Sequence, residues 1–440
     1  MGEPAQKRST FRMLAAMVVV GMLIRVACMP FIYDDHTDPK YDRFKFGFET
    51  GRIARSIVQG EGFSSPLIEK TGPTAWMTPV YPYIIAGFLK VFGIFTERAL
   101  FAILTFQSLI SALTSIPIFY FARKNFGFRV GKWAGWTWAF FPYAIYFPLD
   151  RIWETWLATL LFAILFWVSQ ELEETKRMSA WVGVGLLWGV AGLTSAALLT
   201  VLPFLQAYIS YRRHKRGRAW LMPNAALGVA LIVIACPWFV RNYRTFHKFI
   251  PFRDNMGLVL RLGCKGKTDY WQPTDLGPWL NNAEVAEYHR LGEIKYMAVK
   301  KAQAIDFIKK NPGWYAWTTV RRIVFLWTGY WSLTKEYLKI EVWDAWNIPF
   351  SSAFSILALI GLRKAWIRNR EAAIPYAIFL GIFPLIYYIT SPEYYYRRPL
   401  DPMMVALAVY ALVRGSGAAA DNSRRAGNED GNGLSAVALD

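Results

Sequence analysis

Long apolar runs separated by short basic clusters dominate the pattern along the chain. Residues Ala99 to Ala122 give 24 successive positions without a charge, and Ala219 to Val240 give 22, where roughly 20 apolar residues span a bilayer. The hydrocarbon interior leaves no backbone group unpaired, so each such run is predicted to be a helix. Crossings are predicted near 13–31, 99–122, 131–149, 153–170, 179–195, 196–211, 220–240, 345–362, 372–390 and 400–413. The expected fold class is therefore an all-α polytopic membrane protein of about ten transmembrane helices, with interfacial helices on its outer face.

The basic clusters orient these spans. Met178 to Tyr211 holds no charge over 34 residues, yet Lys176 and Arg177 precede it and Arg212, Arg213, Lys215, Arg216 and Arg218 follow it. Cytoplasmic loops carry the excess of Lys and Arg, so both ends lie inside and the stretch is predicted to be a hairpin of two short spans. The same rule places 123–132, 171–177, 363–370 and both termini inside. Two large segments then face outward, 33–98 and 241–344. Pro79 to Phe95 is predicted to lie in or re-enter the interface, because a full crossing would carry Arg123 and Lys124 outside. A helix is predicted over Ala283 to Lys310, ended by Asn311-Pro312. Gly313 to Ser332, with Arg321 and Arg322 at its centre, is predicted to lie in the interface, since paired arginines at mid-bilayer are costly. The chain is expected to form one membrane domain, 1–413, followed by a polar, disordered cytoplasmic tail, 414–440.

Composition sharpens this picture. Hydrophobic residues make up 54% and charged residues 18%, against about 25% charged in soluble domains. The formal net charge of +19 comes from 50 Lys and Arg against 31 Asp and Glu. Its dispersal between apolar runs argues against a nucleic-acid surface and for membrane lipid as the environment. Three cysteines give no disulfide framework and no metal-ligand spacing. The basic start, Lys7, Arg8 and Arg12, resembles a signal peptide, but Arg25 and the lack of a small-x-small site favour a retained first span. No P-loop, H-E-x-x-H or G-x-S-x-G stands in the sequence, and no internal repeat is evident.

Candidate chemistry gathers at the outward ends of the spans. Asp34, Asp35, Asp42 and Glu49 follow the first span, and FPLDRIWE supplies Asp150 and Glu154 between the third and fourth. Such acids suit a general base that activates an acceptor, or a divalent metal site; acids at helix N-termini are equally accounted for by the helix dipole. Asp150 and Glu154, four apart, share a face if one helix spans both. Arg241 with Asn242 in CPWFVRNY, Arg321 with Arg322, and Arg397 with Arg398 in SPEYYYRRPLDP are the complementary cations. Their guanidinium forks fit a phosphate, and snorkelling to the interface is the alternative use.

The order of the motifs resembles the C-type (GT-C) membrane glycosyltransferases, specifically bacterial relatives of protein O-mannosyltransferases and lipid A aminoarabinose transferases, that is, a family-39-like glycosyltransferase. The pieces that carry the resemblance are ETGRIARSIVQGEGF (49–63), GPTAWMTPVYPYIIAGFLKVFG (72–93), CPWFVRNYRTFHKFIPFRDNMGL (236–258), LGE (291–293) ahead of NPGW, and SPEYYYRRPLDPMMVALA. The resemblance implies transfer of a sugar from a polyprenyl-phosphate donor to a lipid, glycan or protein acceptor, in a bacterial inner (plasma) membrane with the site facing the periplasm or exterior. It also implies an essential acid about eight residues before Ala54. That position holds Phe46, and the nearest acids are Asp42 and Glu49, with Asp34 and Asp35 upstream. Asp150 and Glu154 match the region of a second-loop acid, and Arg241, Arg397 and Arg398 are the expected phosphate partners. A transporter or flippase of lipid-linked sugars is the alternative. It calls for charges deep within several spans, and only Arg25 is of that kind. A non-catalytic envelope subunit is a third reading, favoured if the outward acids lie scattered.

Overall fold

A computed structural model describes residues 3–32, 46–264, 277–279 and 281–413. Asp34, Asp35 and Asp42, and the tail 414–440, lie outside the described residues. Helix accounts for nearly every element, and the one β contact among the described residues is an isolated bridge between Ser64 and Pro73. In order the helices are α1 (Glu3–Ile32), α2 (Phe48–Val58), α3 (Val80–Phe92), α4 (Glu97–Leu113), α5 (Ser115–Phe126), α6 (Phe128–Ala139), α7 (Pro142–Asp150), α8 (Thr155–Glu171), α9 (Met178–Thr194), α10 (Leu202–Lys215) and α11 (Leu221–Phe246). They continue with α12 (Met256–Leu262), α13 (Asn282–Leu291), α14 (Glu293–Lys310), α15 (Pro312–Thr328), α16 (Lys335–Ile340), α17 (Asp344–Arg368), α18 (Arg370–Ile382), α19 (Leu385–Ile389) and α20 (Asp401–Leu412).

Among the described residues, five stretches are long and apolar enough to cross a membrane: Gln6–Ile32, Glu97–Phe126, Leu221–Phe246, Asp344–Arg368 and Arg370–Ile389; α3, α8 and α9 are apolar but shorter. Several expected elements are therefore divided. The predicted crossing at 131–149 is two helices, α6 and α7, because Pro142 begins the second and cannot continue the ladder of the first. The stretch at 196–211 opens with a 3-10 turn, Ala196–Thr200, before α10. The helix predicted over 283–310 breaks at Gly292, whose φ of 73° no ordinary helix residue adopts. Helix α3 has 13 residues, about 20 Å at 1.5 Å per residue, and is too short to cross unaided.

The bundle core forms where α5, α6, α8, α9, α17, α18 and α20 meet. It is aromatic, with Trp138, Phe162, Phe166, Trp188, Tyr376 and Phe379 buried, and the Phe126 and Tyr410 rings stack at 4.1 Å. Helix α20 is buried from Asp401 through Tyr410, so it runs through the middle of the assembly. Close approach needs small residues in a bundle that lacks a hydrophobic drive within lipid. A Cβ at Gly361 of α17 would fall 1.9 Å from the Leu407 carbonyl of α20, and one at Gly185 of α9 would fall 2.3 Å from the Leu227 carbonyl of α11.

Candidate active site

The site begins at the break after α7. Asp150 closes that helix, Arg151 is extended at φ −140° and ψ 137°, and α8 restarts at Thr155 with Glu154 before it. Gln107 of α4 clamps this turn: its amide donates to the Pro148 carbonyl (2.7 Å) and the Arg151 carbonyl (3.0 Å), and its Oε1 accepts from the Trp153 N–H (3.1 Å). Asp150 and Glu154 thus stand on different helices and do not share the single helical face that their spacing allows. Asp150 is held by the Tyr146 hydroxyl (3.2 Å) and by Arg151 Nε (3.2 Å).

Helix α2 packs against the same turn. Gly47, at φ 99°, starts it in a conformation open to glycine, and a Cβ there would sit 3.0 Å from the Ile152 carbonyl. The buried face of α2 carries Glu49, Thr50, Arg52, Ile53 and Ser56. Burial pushes the Glu49 carboxyl up from its ordinary 4.5, while its own backbone N–H and the charges of Arg52 and Arg253 oppose the shift. The charges of Glu49 and Arg253 also reach Glu154.

These elements enclose a cavity of about 1060 Å³, into which α1, α2, α7, α12, the start of α17 and the 391–396 segment converge. Its carboxylates are Glu49, Asp150, Glu341, Asp344 and Glu393; its cations are Arg151 and Arg253; Trp76, Tyr143, Trp153, Tyr395 and Tyr396 supply aromatic walls. Arg253 is oriented by Asn255, whose Oδ1 accepts from Nε at 2.7 Å, and Arg151 lies 5.2 Å from the Tyr395 ring. Three wall residues, Phe31, Trp343 and Trp346, are 88%, 72% and 77% exposed, so the cavity opens beside an apolar surface of the kind that faces lipid. It lies at the end of α1 and the start of α17. Arg368 stands in the last turn of α17, at the opposite end of that helix, and the last turns of α5 and α10 are likewise basic.

Of the acids expected from the sequence, Glu49 and Asp150 line this cavity. Glu154 is 6% exposed and outside the lining, and its Oε2 has no hydrogen-bond partner. The expected phosphate-binding residues are elsewhere. Arg241 donates to the Thr74 (2.6 Å) and Phe63 (2.7 Å) carbonyls and stacks on Trp238; Asn242 is buried against the Ile250 carbonyl (2.9 Å). Arg321 donates to the Trp331 carbonyl (3.1 Å) over that ring. Arg322 donates to the carbonyls of Gly263, Tyr388 and Ile389. Arg397 serves the Leu326 and Trp327 carbonyls, and Arg398 pairs with Asp401 at 2.9 Å, 3.6 Å above the Tyr143 ring. None of the six is among the residues that line the cavity. The cavity cations, Arg151 and Arg253, sit inside stretches already singled out, FPLDRIWE and IPFRDN, and their position is set by helix breaks that no periodicity signals.

The profile of the dolichyl-phosphate-mannose-protein mannosyltransferases matches residues 76–239. Among solved structures, the oligosaccharyltransferase AglB of Archaeoglobus fulgidus, in complex with an inhibitory peptide and a dolichol-phosphate, superposes with a TM-score of 0.52 at 13% identity, covering 97% of this chain and 52% of that one. The same archaeal enzyme tethered to an acceptor peptide gives 0.50 at 14% identity, covering 90% and 49%. This chain has the GT-C fold of membrane glycosyltransferases. It spans about half the length of these archaeal structures. ArnT from Cupriavidus metallidurans, bound to undecaprenyl phosphate, gives a TM-score of 0.40 at 13% identity, covering 90% and 77%. No curated protein sequence matches the chain.

One buried carboxylate fixes the cavity wall. Glu293, at the start of α14, accepts from the Thr74 hydroxyl, the Ala75 N–H (2.6 Å) and the Tyr288 hydroxyl (2.8 Å), while Arg241 holds the Thr74 carbonyl from the other side. Together they anchor the segment that sets Trp76 and Met77 into the cavity. Glu293→Ala orphans three buried donors, at about 1–3 kcal/mol each, and is expected to lower stability by at least about 3 kcal/mol in a thermal melt, with Glu293→Gln much milder. Burial raises the Glu293 carboxyl, with the three donors opposing. A carboxyl raised on folding contributes most below its ordinary 4.5 and loses that contribution as pH rises through the folded value. The wild-type advantage over Glu293→Gln is therefore expected to shrink toward neutral pH.

Proposed function

We propose that the protein transfers a sugar from a polyprenyl-phosphate-linked donor to a lipid, glycan or protein acceptor on the outer face of a bacterial inner membrane, with both termini cytoplasmic. The observation that carries this reading is the meeting of Glu49 and Asp150 with Arg151 and Arg253 in one large aromatic cavity that opens beside the exposed Phe31, Trp343 and Trp346. It is supported by the shared fold with an enzyme whose structure holds a dolichol-phosphate.

Glu49 is the base in this scheme. Its carboxylate takes the proton of the acceptor hydroxyl as that oxygen bonds to the anomeric carbon. The bond from that carbon to the phosphate oxygen breaks, and its electron pair leaves on the lipid phosphate, whose charge Arg151 and Arg253 stabilise. Displacement of this kind inverts the anomeric centre. Asp150 orients Arg151 through their hydrogen bond. Among the described residues no group of three or more His, Cys, Asp or Glu is placed to hold a metal ion.

The test is purified protein in lipid vesicles supplied with polyprenyl-phosphate-linked sugars and candidate acceptors, with and without chelator. The expected result is release of polyprenyl phosphate coupled to an inverted glycoside. Movement of intact lipid-linked sugar between leaflets, without consumption, would contradict it and support a flippase.

A further inference from the structure

Arg25 lies within the Gln6–Ile32 span, two turns from its end, yet is fully buried. Among the described residues it forms no ion pair. A cation at such depth is expensive unless its donors find partners, and five hydrogen bonds engage four of its five N–H groups, the single Nε–H being shared between two acceptors. Nε donates to the Ala144 carbonyl (2.8 Å) and Ser111 Oγ (3.2 Å), Nη1 to the Gly21 (2.7 Å) and Ala139 (3.1 Å) carbonyls, and Nη2 to the Trp138 carbonyl (3.4 Å).

The identity of two of those acceptors is informative. In a helix the carbonyl of residue i receives the N–H of residue i+4, and proline has no N–H. Pro142 therefore denies the Trp138 carbonyl its i+4 donor, and the Phe141 N–H reaches that carbonyl instead at 3.2 Å; Pro148, inside α7, denies the Ala144 carbonyl its i+4 donor. Ser111 Oγ also donates to Ala144 (2.8 Å), and the Trp138 indole ties back to the Ser111 carbonyl (2.7 Å). Gly21 leaves room for this, since a Cβ there would lie 3.1 Å from Arg25 Nη1.

We infer that Arg25 is a positioning residue for the candidate active site: one guanidinium reaches both carbonyls that the prolines deny an i+4 donor, and so fixes the course of the α6–α7 break that carries Tyr143, Tyr146, Asp150 and Arg151 to the cavity. Arginine suits this task because its five donors are spread across a rigid fork, whereas lysine gathers three on one nitrogen. The inference deepens the transfer reading and rests on it for the role of α7, but its geometry is testable without any substrate.

Tyr143 of α7 donates to Asn347 of α17 at 2.6 Å, which gives a gauge of α7 placement. In protein with its three cysteines replaced by Ala, Tyr143→Cys and Asn347→Cys are joined by a short bis-maleimide. Arg25→Met is expected to lower the cross-linking yield at least fivefold, and Arg25→Lys to lower it as well. Adding Pro148→Ala, which supplies the missing N–H to Ala144, is expected to restore at least half of the loss, together with a matching part of any lost transfer rate. A merely structural role would not respond to that proline. Unchanged cross-linking in folded Arg25→Met or Arg25→Lys protein, or a loss that Pro148→Ala leaves untouched, overturns the inference. Normal cross-linking behaviour with no transfer by the wild type would instead strike the functional reading alone.

Discussion

Glu49→Gln is expected to lower the transfer rate at saturating donor by about 10²–10⁴-fold, the range for removal of a positioned general base, while leaving donor binding near the wild-type value. The side chain keeps its shape and loses only its basicity. The physical ground is its burial on α2, facing the cavity, which raises its carboxyl above the ordinary 4.5. The sign of the accompanying stability effect distinguishes catalysis from packing. Because the folded state holds the Glu49 proton more tightly than the unfolded chain, the carboxyl contributes most to stability below its ordinary value. It loses that contribution as pH rises through the folded value. At neutral pH the Gln variant is thus expected to melt at or above the wild-type temperature. The wild-type rate should climb with pH through the raised Glu49 value, and the residual rate of the variant should lack that acidic limb. A melt that falls together with the rate would assign Glu49 a structural role.

Arg253→Met is expected to lower kcat/KM by about 10²–10³-fold, as loss of one preorganised charge stabiliser does. Arg253 lines the cavity, its Nε is fixed by Asn255 at 2.7 Å, and its charge is felt by Glu49, Glu154, Tyr387 and Tyr396. It therefore stands between the base and the aromatic 391–396 wall. Arg253→Lys retains the charge without the planar fork and is expected to recover only part of the loss. Steady-state kinetics with varied donor separate the two contributions: a phosphate role raises KM and lowers kcat together, whereas a role confined to Glu49 would leave KM unchanged.

The spans were legible because bilayer thickness and backbone pairing dictate long apolar helices, and Leu221–Phe246 and Asp344–Arg368 extend runs that charge and length predict. The break between α6 and α7 was hidden because Phe140, Phe141 and Pro142 continue an apolar run, and because the carbonyls exposed there are served by Arg25 from a helix more than 100 residues earlier. The same limit governs the site. Glu49 and Asp150 could be found as acids at outer helix ends. The sorting of arginines could not, since only the fold decides that Arg241, Arg322 and Arg397 donate to backbone carbonyls while Arg151 and Arg253 are held by the side chains of Asp150 and Asn255. An arginine at a helix end carries the same sequence signature whether it braces a loop or faces a ligand.

The most direct test pairs a titration with a rate in the same preparation: binding of polyprenyl phosphate, and transfer of sugar from its glycosylated form, by wild type, Glu49→Gln and Arg253→Met in lipid. The account predicts that Arg253→Met weakens binding and transfer together, and that Glu49→Gln binds as the wild type does and fails to transfer. Binding and transfer unchanged in both variants, in protein shown to be folded, would contradict the assignment of this cavity as the place of reaction.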